Sequence, residues 1–114
     1  MKIWVDDLRP APNGYIWCKT VNDAKNLINT LLNKSDFNGV SVIDLDHDAG
    51  IFAKQGGDYI KLVDWLVELV VTNELNPTKF PLAFHTMNSV GKENMLITAE
   101  RNGFPIKRSE YTGK

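Results

Sequence analysis

Ser41-Val42-Ile43-Asp44-Leu45-Asp46-His47-Asp48-Ala49-Gly50 decides the fold, because a short apolar run ends there abruptly in three acids and a histidine. A buried strand that stops in a polar cluster delivers its side chains to the carboxyl edge of a sheet, where open α/β proteins place their ligands. The same pattern stands at the N-terminus, where Lys2-Ile3-Trp4-Val5 runs into Asp6-Asp7. Side by side and parallel, the two strands bring Asp6, Asp7, Asp44 and one of Asp46 or Asp48 into one small volume. Carboxylates so placed repel by on the order of several kcal/mol in a poorly hydrated site. Either a divalent cation or a set of raised pKa values has to offset that.

Between these strands, Leu8-Arg9-Pro10-Ala11-Pro12-Asn13-Gly14 carries two prolines and an Asn-Gly pair that forbid a regular helix. Tyr15 to Lys19 reads as a second strand, joined to the first by so lean a link that parallel and antiparallel pairing both stay open. Thr20 followed by Asp23 resembles a capping box, and Val21, Ala24, Leu27, Ile28 and Leu31 keep helical spacing up to Asn33-Lys34. After the acidic edge, Ala49 to Gly57 reads as a mobile, glycine-bearing loop above the site. Asp58 is the expected N-cap of a longer helix running to about Asn73. Phe80 to Phe84 is the next strand and ends in His85-Thr86-Met87-Asn88. Ser89 or Asn88 then caps a helix from about Val90 to Arg101, closed by Asn102-Gly103. Phe104 to Arg108 reads as a last strand and Ser109 to Lys114 as a tail. Strands alternating with helices at this spacing imply an α/β fold: a three-layer sandwich around a mostly parallel, five-stranded sheet.

At 114 residues the chain fits one domain with one core. Its net charge of -1 argues against bulk DNA binding, although it leaves room for local basic patches. The single cysteine, Cys18, lies in the apolar stretch Tyr15-Ile16-Trp17-Cys18 and reads as a packing residue in a reducing compartment. No signal peptide or bilayer-spanning run is visible, so the expected setting is cytoplasmic.

Paired acids after the first strand (Asp6-Asp7), an acid after a later one (Asp44) and a hydroxyl after the next (Thr86) resemble the response-regulator receiver domain, a flavodoxin-like fold. The resemblance implies that the paired acids hold magnesium, that Asp44 accepts a phosphoryl group and that Thr86 senses it. The chain departs from that pattern in lacking the first and last helices, and only Lys107 or Arg108 offers a basic residue near the last strand. More specifically, Trp4-Val5-Asp6-Asp7-Leu8-Arg9-Pro10, Ile43-Asp44-Leu45-Asp46-His47-Asp48, Gly56-Gly57-Asp58-Tyr59 and Phe84-His85-Thr86-Met87-Asn88 look like the cyclic-phosphate-processing receiver-like domains. That likeness implies an enzymatic role on cyclic phosphates, in nucleotide signalling or RNA-end chemistry.

Opening a cyclic phosphodiester needs a cation, a base and an acid. Asp6, Asp7 and Asp44 offer hard oxygen ligands suited to magnesium or manganese. His47 and His85, with Asp44 beside them, are the candidates for catalysis, through proton transfer or metal ligation. Thr86, Asn88 and Lys92 could hold phosphate at the start of the last helix, and Arg9 beside the acids is a further phosphate contact. Each has a plainer counterpart: the acids and Asn88 as turn caps, Lys92 as a solvated helix residue, and Arg9 as the group that neutralises the acids in place of a metal. Asp44-Leu45-Asp46 also resembles the signature of haloacid-dehalogenase phosphatases, but the chain is short for that fold. An EF-hand reading fails because Gly50 comes one place late and Gln55 stands where the bidentate glutamate belongs. The expected function is thus a metal-assisted phosphoesterase acting on cyclic phosphates of nucleotides or RNA ends. The alternative is a non-catalytic signalling or phosphate-ligand-binding module with Asp44 as phosphoacceptor.

Overall fold

In the computed structural model, which describes residues 1–48, 50 and 54–111, the apolar runs form four short strands. They are β1 (Lys2–Val5), β2 (Tyr15–Cys18), β3 (Val42–Leu45) and β4 (Leu82–Phe84), all parallel in the order β2-β1-β3-β4. The second strand pairs in parallel, Lys2 with Tyr15 through Val5 with Cys18. Its non-helical link from β1 is tacked to the sheet by the Trp4 indole, which donates to the Arg9 carbonyl at 2.8 Å.

Instead of five strands, the sheet has four among the described residues. The segment expected as the last strand contributes an isolated bridge, Ile106 with Leu82, flanked by bonds from Leu82 N–H to Pro105 and from Lys107 N–H to Leu82. The pairing stays at that one bridge, and Pro105, which has no N–H to donate, bars its extension toward Phe104.

The α-helices among the described residues are α1 (Val21–Leu32), α2 (Ile60–Val71) and α3 (Ser89–Arg101). Thr20 caps α1 as its sequence predicts, its hydroxyl accepting from Asp23 N–H at 2.9 Å. Asn88 caps α3 by accepting from Gly91 N–H at 2.9 Å. The N-cap position of α2 is Tyr59 rather than Asp58, and it makes no side-chain cap bond. Tertiary contacts fix that turn instead: Tyr59 donates its N–H to the His47 carbonyl and its hydroxyl to the Lys19 carbonyl. The loop expected from Ala49 to Gly57 lies partly outside the described residues, as does the end of the tail beyond Tyr111.

Alternation along the strands sorts the two faces of the sheet. Ile3, Val5, Ile43, Leu45, Leu82 and Phe84 join the buried residues of α1, α2 and α3 in one core. Cys18 belongs to it, and burial, with the nearby Asp23 charge, pushes its thiol up to about 11, which suits packing and not reactivity. Trp4, Asp44 and Ala83 line up across the other face, equally buried. There the expected third layer contains no helix among the described residues. Its cover is the Arg9 segment and the chain from Ser109 to Tyr111, which bond to Trp4 and Asp44. Two helical-and-sheet layers plus a strap of irregular chain therefore replace the three-layer sandwich.

Candidate functional site

Asp6, Asp46 and His85 each stand one residue past a strand, and each is fixed there by its backbone. Asp6 N–H donates to Cys18, Asp46 N–H to Val5 and His85 N–H to Leu45, so the hydrogen-bond ladder runs one step beyond the strands. On the strapped face these residues form a row at the carboxyl edge, next to the deeper row of Trp4, Asp44 and Ala83.

His85 joins the two rows. Its Nδ1 is 2.7 Å from Asp44 Oδ1 and its Nε2 is 2.8 Å from Asp6 Oδ2, with the ring fully buried and stacked on Trp4 at 3.8 Å. A carboxylate only accepts, so a ring facing one at each nitrogen must donate from both, which makes it imidazolium. Burial alone would lower the His85 pKa, but the bonds to Asp44 and Asp6 outweigh it and raise the value above 6.5. Burial likewise opposes ionisation of Asp6. The His85 bond and the Arg9 and Leu8 N–H groups overcome it and hold Asp6 down at about 2.

Arg9 supplies the second cation, with Nη1 at 3.4 Å from Asp6 and 3.3 Å from Asp46. Its Nε donates to the Tyr111 hydroxyl at 3.1 Å, and its guanidinium lies over that ring. Asp7 has no cationic partner among the described residues. Burial and the charges of Asp6 and Asp46 push its pKa up. One oxygen from each of Asp6, Asp7 and Asp46 falls within 4.8 Å of the others. These acids border a cavity of about 330 Å³ with Arg9, Asp48 and Gly50. Gly50 has φ of +57°, and a Cβ there would stand 2.5 Å from Asp7 Oδ2, so only glycine leaves that carboxylate its room.

Among the described residues Asp6, Asp7, Asp44 and Asp46 face two cationic partners, His85 and Arg9, which leaves two carboxylates of a partly buried cluster without a countercharge. Hard oxygen donors with that deficit fit a divalent cation of the magnesium or manganese kind.

Asp44, expected as a ligand, lies outside this trio; it is 1 % exposed and has both oxygens engaged, one by His85 and the other by Ser109 Oγ at 2.6 Å. Asp46 stands in its place. His47 sits beside the acids, its N–H donating to Asp46 at 2.8 Å and its Nδ1 lying 2.8 Å from Asp48. That carboxylate fixes the proton on Nδ1, because the 3.4 Å contact to Asn88 is the longer one. Nε2 makes no hydrogen bond among the described residues. The ring rests on Gly91 of α3, where a Cβ would collide with it. Thr86 is buried and accepts from Asn88 N–H at 3.1 Å. Lys92 lies apart from the acids, in a second cleft between α3 and the C-terminal segment.

A family model described as the cyclic-phosphate processing receiver domain matches residues 1–101. The chain belongs to that family. Comparison with curated proteins and with solved structures returns no match. Receiver domains bind magnesium through acidic residues, and this cyclic-phosphate processing receiver domain presents such a cluster in Asp6, Asp7 and Asp46. Its Ser109 and Tyr111, which touch Asp44 and Arg9, went unread in the sequence because a polar tail carries no periodic signal. Among the described residues no helix is long and apolar enough to cross a membrane.

Proposed function

We propose that the domain is a metal-assisted phosphoesterase that opens cyclic phosphates of nucleotides or RNA ends, working in the cytoplasm. The observation that carries this reading is the cluster of Asp6, Asp7, Asp44 and Asp46, which has two cationic partners among the described residues, beside an oriented histidine. Asp6, Asp7 and Asp46 would hold magnesium or manganese, which when bound supplies Lewis-acid charge to a phosphate oxygen. His47 is the proton-transfer group: Asp48 holds its Nδ1 proton and leaves the Nε2 lone pair to take or return a proton at the reacting oxygen. His85, with both nitrogens engaged, acts as a fixed buried charge that sets the geometry of Asp6, and Asp44 orients it in turn. Asn88 stands next to His47 and is braced by Thr86, which accepts its N–H, and Arg9 is the charge that substrate phosphate and the acids share.

The test is turnover of 2′,3′- and 3′,5′-cyclic nucleotides with magnesium or manganese. We expect hydrolysis that chelation abolishes and that His47→Ala lowers by about 10²–10⁴-fold, the usual worth of a positioned acid-base group. No turnover of any cyclic substrate with either metal would defeat the proposal.

A further inference from the structure

The second cleft, of about 620 Å³, runs between α3 and the segment from Ile106 to Tyr111. Lys92, Lys107 and Arg108 line it. Lys107 is occupied, its Nζ donating to the Ser41 carbonyl at 2.8 Å. Lys92 and Arg108 make no ion pair or side-chain hydrogen bond among the described residues, although the chain as a whole is slightly acidic. At the floor, Thr86 is 8 % exposed, and its hydroxyl accepts from Asn88 but donates to no described acceptor. Leu96 and Tyr111 supply apolar and aromatic wall. Positive charge, an unused hydroxyl proton and flat apolar surface together suit a phosphate attached to a nucleoside.

The acidic cavity and this cleft share no lining residue, and the Arg9–Tyr111 contact stands between them. A mononucleotide with one cyclic phosphate would bring its only phosphate to the acidic side and leave Lys92 and Arg108 unmatched. We propose that this cleft binds the next phosphodiester of the same ligand, so that the substrate is the end of an RNA strand and not a free mononucleotide. The inference rests on the phosphoesterase reading for its choice of substrate, but the binding it requires is measurable without turnover.

The experiment has two arms. In the first, kcat/KM is compared for a 2′,3′-cyclic mononucleotide and a short oligoribonucleotide ending in the same group. The oligoribonucleotide is expected to be favoured by about tenfold, the worth of one charge-assisted contact, and the ratio to fall toward one in Arg108→Gln. In the second, fluorescence anisotropy follows a labelled oligoribonucleotide with a 3′-phosphate, which needs no catalysis. Arg108→Gln should weaken binding and flatten the slope of log affinity against log salt by about 0.7, the value for one single-strand phosphate. Equal use of both substrates, or oligoribonucleotide binding that neither Arg108→Gln nor Lys92→Gln weakens, overturns the inference. If neither substrate turns over but binding depends on these cations, the phosphoesterase reading falls and the cleft assignment stands.

Discussion

His85 shows how one buried side chain can hold two acids in place, with Arg9 tying in a third. Its two nitrogens neutralise Asp6 and Asp44 from within the protein, and Arg9 covers Asp6 and Asp46 from the solvent side. Removing one partner of a buried charge pair strands the other, at a cost of about 3–5 kcal/mol. His85→Ala is therefore expected to lower the melting temperature by on the order of 10 °C or more, read by circular dichroism. Asp7 has the opposite sign. Its carboxylate gains nothing from Asp6 and Asp46, so Asp7→Asn should raise the melting temperature of the cation-free protein while removing the stabilisation that magnesium or manganese gives the wild type. A thermal-shift titration with each metal checks both halves. That Asp6 and Asp7 share one end of the sheet, and that Asp6 meets His85, was legible from the strand ends. The exchange of Asp46 for Asp44 was not, because residues two apart on a strand share a face and only depth separates them. Ser109 closes over the deeper one, and nothing in its flanking sequence announces that.

At the level of elements, α3 seats the catalytic candidate. Gly91 lies in its first turn, and the His47 ring occupies the space its Cβ would fill. Helix propensity alone favours Gly91→Ala by about 1 kcal/mol. We expect instead that the ring is pushed from its place, so that cyclic-nucleotide turnover falls while helicity by circular dichroism holds. On the core side of the sheet, α2 behaves as its periodicity predicts. Leu66→Ala, at a fully buried position, should cost about 2–5 kcal/mol by denaturant unfolding. The helices were readable because a 3.6-residue period and a cap are local signals, as at Thr20 and Asn88. The last strand was misread because alternation in Phe104 to Arg108 cannot report that the segment meets β4 at a single bridge, Ile106 with Leu82.

For the molecule as a whole, the site sets the dependence of stability on pH. Asp6, lowered from 3.8 to about 2, contributes stability that is complete above pH 3.8 and lost as pH falls through about 2. His85, raised from 6.5, contributes stability that is complete below pH 6.5 and lost as pH rises through its higher folded value. Asp7, raised from 3.8, adds a cost once it ionises and so tilts the balance further toward acid. The cation-free protein should be most stable between pH 3.8 and 6.5, and His85→Ala should flatten the alkaline limb in chemical unfolding followed across pH. Chain order and charge could not foretell this profile, which depends on the strap that seals Trp4, His85 and Asp44 from water.

That seal also presses the indole of Trp4 flat against the imidazole of His85, with planes 4° apart. Protonated imidazole quenches indole emission by accepting an electron from the excited ring, whereas the neutral ring hardly does. The domain thus carries its own optical gauge: light from Trp4 should stay dim while the neighbouring ring is charged and brighten when it is discharged, with no dye attached.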